Sequence, residues 1–130
     1  MNLPQGFHTL TPYMFVDNAD RYIEFLVDAF GAEEVLRANR DDGKIANAQV
    51  RLGDSTFMLS ESSSDFPAMC SAYYLYVEDA DESVKKAVGN GAELIMEVSD
   101  MPYGDRQGGV LDTVGNIWWI SQRLSNEPYT

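Results

Sequence analysis

The chain has 130 residues, 45% hydrophobic and 23% charged, the composition of one folded globular domain or of two small halves sharing a core. Its net charge of -12 repels phosphate backbones and anionic lipid, which argues against nucleic acid and membrane as partners. One cysteine, Cys70, excludes an internal disulfide, and one histidine, His8, leaves little for histidine-rich metal sites or for Ser-His and Cys-His nucleophile machinery.

Residues 1–8 read as an irregular lead-in without a basic stretch followed by an apolar one, and no apolar run approaches the ~18 residues that span a bilayer. The expected setting is a reducing cytoplasm. Thr9–Asp17 reads as a strand, with Pro12 placing it at an edge or in a non-bonded slot. Asp17 and Asn18 offer helix N-caps. From Ala19 the apolar residues Tyr22, Ile23, Leu26, Val27 and Phe30 recur at helical spacing, and Gly31 ends the helix. Three strands follow. Ala32–Arg40 and Lys44–Leu52 are joined by an Asp41-Asp42-Gly43 turn, and Ser55–Glu61 follows Gly53-Asp54. Residues 62–67 are a polar, breaker-rich connection.

The pattern then restarts. Ala72–Glu78 reads as a strand. Asp79 with Glu82 has capping-box spacing for a helix whose buried stripe is Ala80, Val84, Ala87 and Val88, ended by Gly89-Asn90-Gly91. Ala92–Val98 reads as a strand, Ser99–Arg106 as a loop, Gly108–Asp112 and Asn116–Arg123 as strands, and Ser125–Thr130 as a loose tail. Met101–Ser121 holds both tryptophans and four of the ten glycines.

The restart keeps register. Val16-Asp17-Asn18-Ala19-Asp20 matches Val77-Glu78-Asp79-Ala80-Asp81 at an offset of 61, and Gly31-Ala32-Glu33 matches Gly91-Ala92-Glu93 at 60. Val50 matches Val110 at 60, Gly53 matches Gly115 at 62, and Ser60 matches Ser121 at 61. Two copies at this period make a fused pair of β-α-β-β-β modules, about 9–61 and about 72–123, within one domain over residues 1–130. Each module has a helix on one face of a four-stranded sheet and leaves the other face open. Two such sheets side by side make a cup, a natural ligand cavity.

The modules, with Thr11-Pro12-Tyr13-Met14-Phe15-Val16-Asp17, Phe30-Gly31-Ala32, Val50-Arg51-Leu52-Gly53-Asp54-Ser55, Tyr103-Gly104-Asp105-Arg106 and Asp112-Thr113-Val114-Gly115-Asn116-Ile117-Trp118, resemble the vicinal oxygen chelate superfamily of glyoxalase I, bleomycin-resistance proteins and extradiol dioxygenases. Within it they resemble the PhnB-like branch, over roughly residues 7 to 123. The resemblance implies an α+β fold, two βαβββ modules forming a cupped mixed sheet (the glyoxalase/bleomycin-resistance fold), and a homodimer. Metal-dependent members keep ligands in the first and last strand of each module. Landmark spacing carries those positions onto Thr11, Met58, Ala72 and Trp119, none a usual ligand for a divalent cation that needs about three or four converging N, O or S donors. No catalytic residue is assigned and no cofactor is expected, a divalent metal being the alternative.

With the carried-over positions taken as the cup side, alternation points Thr11, Tyr13 and Phe15 inward, then Asn47, Gln49 and Arg51, then Thr56, Met58 and Ser60, then Ala72, Tyr74 and Tyr76, and finally Ile117, Trp119 and Ser121. The opposite parity comes out almost wholly apolar. The loop before Gly108 adds Tyr103 as a hydrogen-bond donor and Arg106 as an anion binder; an Asp105–Arg106 turn paired against the acidic surface is the competing reading. The candidate ligand-binding residues are therefore Tyr13, Asn47, Gln49, Met58, Tyr74, Tyr76, Tyr103, Arg106 and Trp119. His8 and Cys70 read as structural or inert, Asp112 and Asn116 as turn-setting, and Gly108-Gly109 as a close backbone approach. The lining suits a planar, partly aromatic molecule. The expected function is metal-free binding of a small organic molecule, as in antibiotic-sequestering relatives. A metal-dependent lyase, isomerase or dioxygenase is the alternative, and a ligand-free interaction module a third.

Overall fold

Period-two alternation and two 3.6-residue stripes become eight strands and two helices. The computed structural model describes residues 1–130. In chain order it contains β1 (Tyr13–Val16), α1 (Ala19–Phe30), β2 (Glu33–Asn39), β3 (Ile45–Leu52), β4 (Ser55–Glu61), β5 (Ala72–Tyr76), α2 (Ala80–Gly89), β6 (Glu93–Asp100), β7 (Asp105–Leu111) and β8 (Ile117–Arg123). The chain divides into two compact units, Met1–Met69 and Cys70–Thr130, each holding one module.

The sheets repeat the same order, β1-β4-β3-β2 and β5-β8-β7-β6. In each, the first strand runs parallel to the last and the other pairs are antiparallel. The duplication extends to irregularities. Val35 is the extra residue between the pairs Glu34↔Val50 and Leu36↔Gln49, and Ile95 stands in the same place between Leu94↔Val110 and Met96↔Gly109. A bulge bends its strand and adds local twist, and here both modules bend at the same point.

The sheet faces on the helix side are apolar. Met14, Val16, Ala48, Val50, Phe57 and Leu59 of the first sheet are buried, as are Tyr22, Ile23, Phe25, Leu26 and Ala29 of α1. In the second module Val84 and Ala87 of α2 are buried, with Val110, Trp118 and Ile120 of the sheet. A fully buried side chain of this size is worth roughly 1.5–3 kcal/mol of transfer free energy, so these faces dominate each unit's stability. The α1 stripe sits slightly aside from the predicted one: Phe25 and Ala29 are buried, while Val27 is exposed. Tyr73, Leu75 and Val77, predicted as core, are half-buried.

The helix starts are capped from a distance. Asn18 is left-handed (φ 57°) and makes no side-chain cap. The carboxylate of Glu61, at the end of β4, instead accepts from the backbone N–H groups of Asn18 (2.9 Å) and Ala19 (3.0 Å). Gln122 does the same in the second module, accepting from the Ala80 N–H (3.1 Å). These two residues are again 61 apart. Asp79 keeps its predicted role and accepts from the Glu82 N–H.

Two predicted boundaries are corrected. Ser99–Arg106 is not a loop: β6 runs to Asp100, β7 starts at Asp105, and a turn at Met101–Gly104 joins them, with Met101 N–H donating to Asp105 O (2.7 Å). Alternation did not reveal these strands because Asp100, Asp105, Arg106 and Gln107 put polar groups on both faces. The Ser125–Thr130 tail is not loose either, since Tyr129 is tied to the second sheet.

Candidate functional site

Each module leaves one sheet face free of its helix, and the predicted residues gather there. In the first unit Tyr13 on β1 stands beside Met58 on β4, which stands beside Gln49 on β3. Asn47 Nδ2 lies 3.4 Å from the Tyr13 hydroxyl. In the second unit Tyr74 neighbours Trp119, and Tyr76 neighbours Ser121. Trp119 lies over Gly109, where an added Cβ would meet the indole ring. The close approach expected at Gly108-Gly109 is thus filled from within the unit: Gly109 accommodates Trp119, and Gly108 accommodates Val84 and Val98.

Beside Tyr13 the first face deepens into a cavity of about 390 Å³, lined by Tyr13, Phe15, Arg40, Ala46, Ser60, Glu61, Ser63 and Phe66. Its walls are aromatic. Tyr13 and Phe15 lie 5.1 Å apart between centroids, and Phe66, from the connection after β4, stacks on Phe15 at 5.4 Å and 12°. Ala46 reaches the cavity because it is the extra residue between the pairs Ala38↔Asn47 and Asn39↔Ile45. Arg40 donates one guanidinium N–H to the Glu61 carbonyl (2.8 Å). Its Nε is buried and has no hydrogen-bond partner, an arrangement that native structures rarely leave without a purpose.

The second face carries a polar network. Asp105 has no exposed surface although it lies on the sheet face away from α2. Its carboxylate accepts from Tyr74 OH, from Tyr129 OH (2.6 Å) and from Arg123 (2.9 Å). Burial pushes the Asp105 carboxyl up, but the bonds from Tyr129, Tyr74 and Arg123 outweigh it and hold the group below the usual carboxylate range. Tyr129 is pushed well above the ordinary phenol value, first by its bond to Asp105 and then by its contact with Tyr76. Tyr74 is raised by burial and then by the same carboxylate. Gln107, also buried, accepts from Tyr103 OH and donates to Ser121 Oγ (2.7 Å).

Arg106 stands apart from these groups. It pairs with Gln122, the α2 cap, and its guanidinium grips Asp81 on α2 (2.7 and 3.0 Å) and Asp100 on β6 (2.9 Å). It faces the helix side and is spent on the acidic surface, so the competing reading of this residue describes its geometry. Phe66, Arg40, Arg123 and Tyr129 were absent from the predicted set. A connection, a strand end and a tail have no periodicity to flag them, and an Arg with an unspent donor shows only in three dimensions.

The positions where resemblance would carry metal ligands remain Thr11, Met58, Ala72 and Trp119, and no group of three or more His, Cys, Asp or Glu side chains is assembled to hold a metal ion. His8 is exposed before β1, and the Glu61 carboxylate is committed to the start of α1. This donor set does not fit a divalent cation. Asp112 sets the Gly115 turn as expected, accepting from the N–H groups of Val114 (3.0 Å) and Asn116 (2.9 Å) and from the Trp118 indole (2.8 Å). Cys70 is exposed, its sulfur 3.4 Å from the Val114 carbonyl. No helix is long and apolar enough to cross a membrane.

Comparisons with known proteins agree with this architecture. A family model described as the Glyoxalase/Bleomycin resistance protein/Dioxygenase superfamily matches residues 6–120. An uncharacterized protein of Mycobacterium bovis is 33% identical over 127 residues, covering 87% of this chain and 82% of its own. The crystal structure of TioX from Micromonospora sp. ML1 aligns with a TM-score of 0.75 at 25% identity, covering 90% of this chain and 99% of that one. TnmS3, described as an antibiotic binding protein from Streptomyces sp. CB03234, aligns with a TM-score of 0.70 at 18% identity, covering 95% and 97%.

Proposed function

Because the chain belongs to the glyoxalase/bleomycin resistance protein/dioxygenase superfamily, a family of metal enzymes and of binders alike, we propose that it binds a small aromatic organic acid without a metal, in the cavity of its first module. One observation carries this reading: the Arg40 guanidinium, which has no carboxylate partner, borders a cavity walled by Tyr13, Phe15 and Phe66. A ligand carboxylate that meets this guanidinium forms a charge-assisted bond, stronger than one between neutral groups. The aromatic rings supply flat apolar contact at low entropy cost, and the hydroxyls of Ser60 and Ser63 orient the ligand. A volume of about 390 Å³ holds a one- or two-ring molecule. The antibiotic-binding description of TnmS3 makes a small organic ligand compatible with this fold and says nothing of these residues. The donor set described above supports the metal-free part of the reading. The family resemblance supports a homodimer, for which light scattering should give twice 14.5 kDa.

Isothermal titration with benzoate, salicylate and 2-naphthoate, against benzene and naphthalene as uncharged controls, tests the site. The acids should bind, Arg40→Gln should weaken them about tenfold or more with the neutral rings unaffected, and Phe66→Ala should weaken both. Silence of the wild type across the panel at millimolar concentration would remove this reading. Stoichiometric Ni, Zn, Mn or Fe in protein purified without chelator would replace it with the metal-dependent lyase, isomerase or dioxygenase.

A further inference from the structure

The second module holds a phenol in a site that its strands build without the tail. Asp105 on β7 and Arg123 on β8 are register partners, and Tyr74 and Tyr76 stand on β5. Into this group reaches Tyr129, from the stretch after β8 that has neither helix nor strand. Its hydroxyl meets the Asp105 carboxylate at 2.6 Å and the Tyr76 hydroxyl at 2.7 Å, and the Arg123 guanidinium carbon lies 4.1 Å from its ring centroid. The phenol thus receives an anionic acceptor for its proton, a second hydroxyl beside it and a cation on its face. Tyr129 itself is 49% exposed, so little burial holds it in place.

We propose that Asp105, Tyr74, Tyr76 and Arg123 form a ligand site for a phenolic hydroxyl, and that Tyr129 of the chain's own tail occupies this site until an aryl alcohol displaces it. A cavity of about 480 Å³ lined by Tyr76, Val77, Glu78, Gln122 and Arg123 shares Tyr76 and Arg123 with the site. The site selects the class by charge. Asp105 is buried and anionic and rejects carboxylates, and Arg123 is already paired with it. A neutral phenol brings the single O–H donor that Tyr129 brings. Tethering gives the tail an effective concentration on the order of millimolar, so the full chain binds a free phenol more weakly than the same site with its own phenol removed. This inference uses other residues, in the other module, and stands or falls apart from the acid-binding cavity.

Calorimetric titration of the full chain and of Tyr129→Ala with p-cresol, and with toluene as the probe lacking the hydroxyl, tests it. Tyr129→Ala should bind p-cresol at least about tenfold more tightly than the wild type, and toluene should stay weak in both. A second measurement needs no variant: carboxypeptidase release of Thr130 and Tyr129 from the wild-type chain should accelerate with p-cresol and not with toluene. Equal p-cresol affinity in the two proteins, p-cresol no tighter than toluene, or release indifferent to p-cresol would each overturn the proposal. Loss of p-cresol binding in Phe66→Ala would do the same, by assigning that binding to the first module's cavity.

Discussion

Asp112 and Asp105 are both buried carboxylates, and the structure gives them opposite tasks. Asp112 closes a turn and anchors an indole, so Asp112→Ala leaves two backbone N–H groups and the Trp118 N–H without this acceptor. A loss of about 2–4 kcal/mol is expected, read from urea unfolding. Asp105 serves the open face, and its folded value lies below that of the unfolded chain, roughly 3.9. Its contribution is therefore complete above about pH 4 and disappears as pH falls through the folded value. Asp105→Asn should flatten the acid limb of a plot of urea midpoint against pH, and an unchanged limb would show that other carboxylates govern it. Gly109 offers a third test. Gly109→Ala pushes a methyl into the Trp119 ring, which should shift the tryptophan emission maximum and cost about 1–3 kcal/mol. The turn role of Asp112 was legible because Asp, Gly and Asn at short spacing carry local turn chemistry. The network at Asp105 was not, because its partners lie 18 to 31 residues away along the chain.

At the scale of the element, helix α1 is the instructive case. Its stripe and its Gly31 end could be read directly, since both are properties of neighbours in sequence. Its start could not: Asp17 and Asn18 looked like caps, and Glu61, 43 residues from Asn18, does the work. A carboxylate there also meets the positive end of the helix dipole. Glu61→Ala is expected to lower stability by about 1–2 kcal/mol, and Gln122→Ala, which lacks the charge, by about 0.5–1 kcal/mol. Thermal melts of both variants check the order, and a larger loss for Gln122→Ala would contradict it. The β6–β7 hairpin shows the opposite limit. A strand with polar groups on both faces leaves no alternation to read, so the predicted loop became the place where Arg106 bridges Asp81 and Asp100.

For the whole molecule, the duplication was the most legible feature, because a fixed offset survives divergence of the residues between its landmarks. It also divides the charge evenly. The first unit has five basic against eleven acidic side chains and the second four against ten, a net of -6 in each. Self-repulsion of this size is screened by salt. Raising NaCl from low to near-molar concentration should therefore raise the melting temperature by a few degrees, and a fall would mean that the ion pairs of Arg37, Arg106 and Arg123 outweigh the repulsion. What the repeat concealed is that its two open faces have diverged in character. Equivalent positions hold Tyr13 and Tyr74, or Met58 and Trp119, yet one face carries a spare cationic donor and the other a shielded anionic acceptor.

The anchored tail bears on how the protein is handled. Tyr129 directly precedes Thr130, so an affinity tag or fluorophore fused after Thr130 hangs one position from the phenol that fills the second face. Met1 is 96% exposed, and a label there leaves the Tyr129 end of the chain unmodified. Preparations that differ only in which end is labelled should differ in their response to phenols.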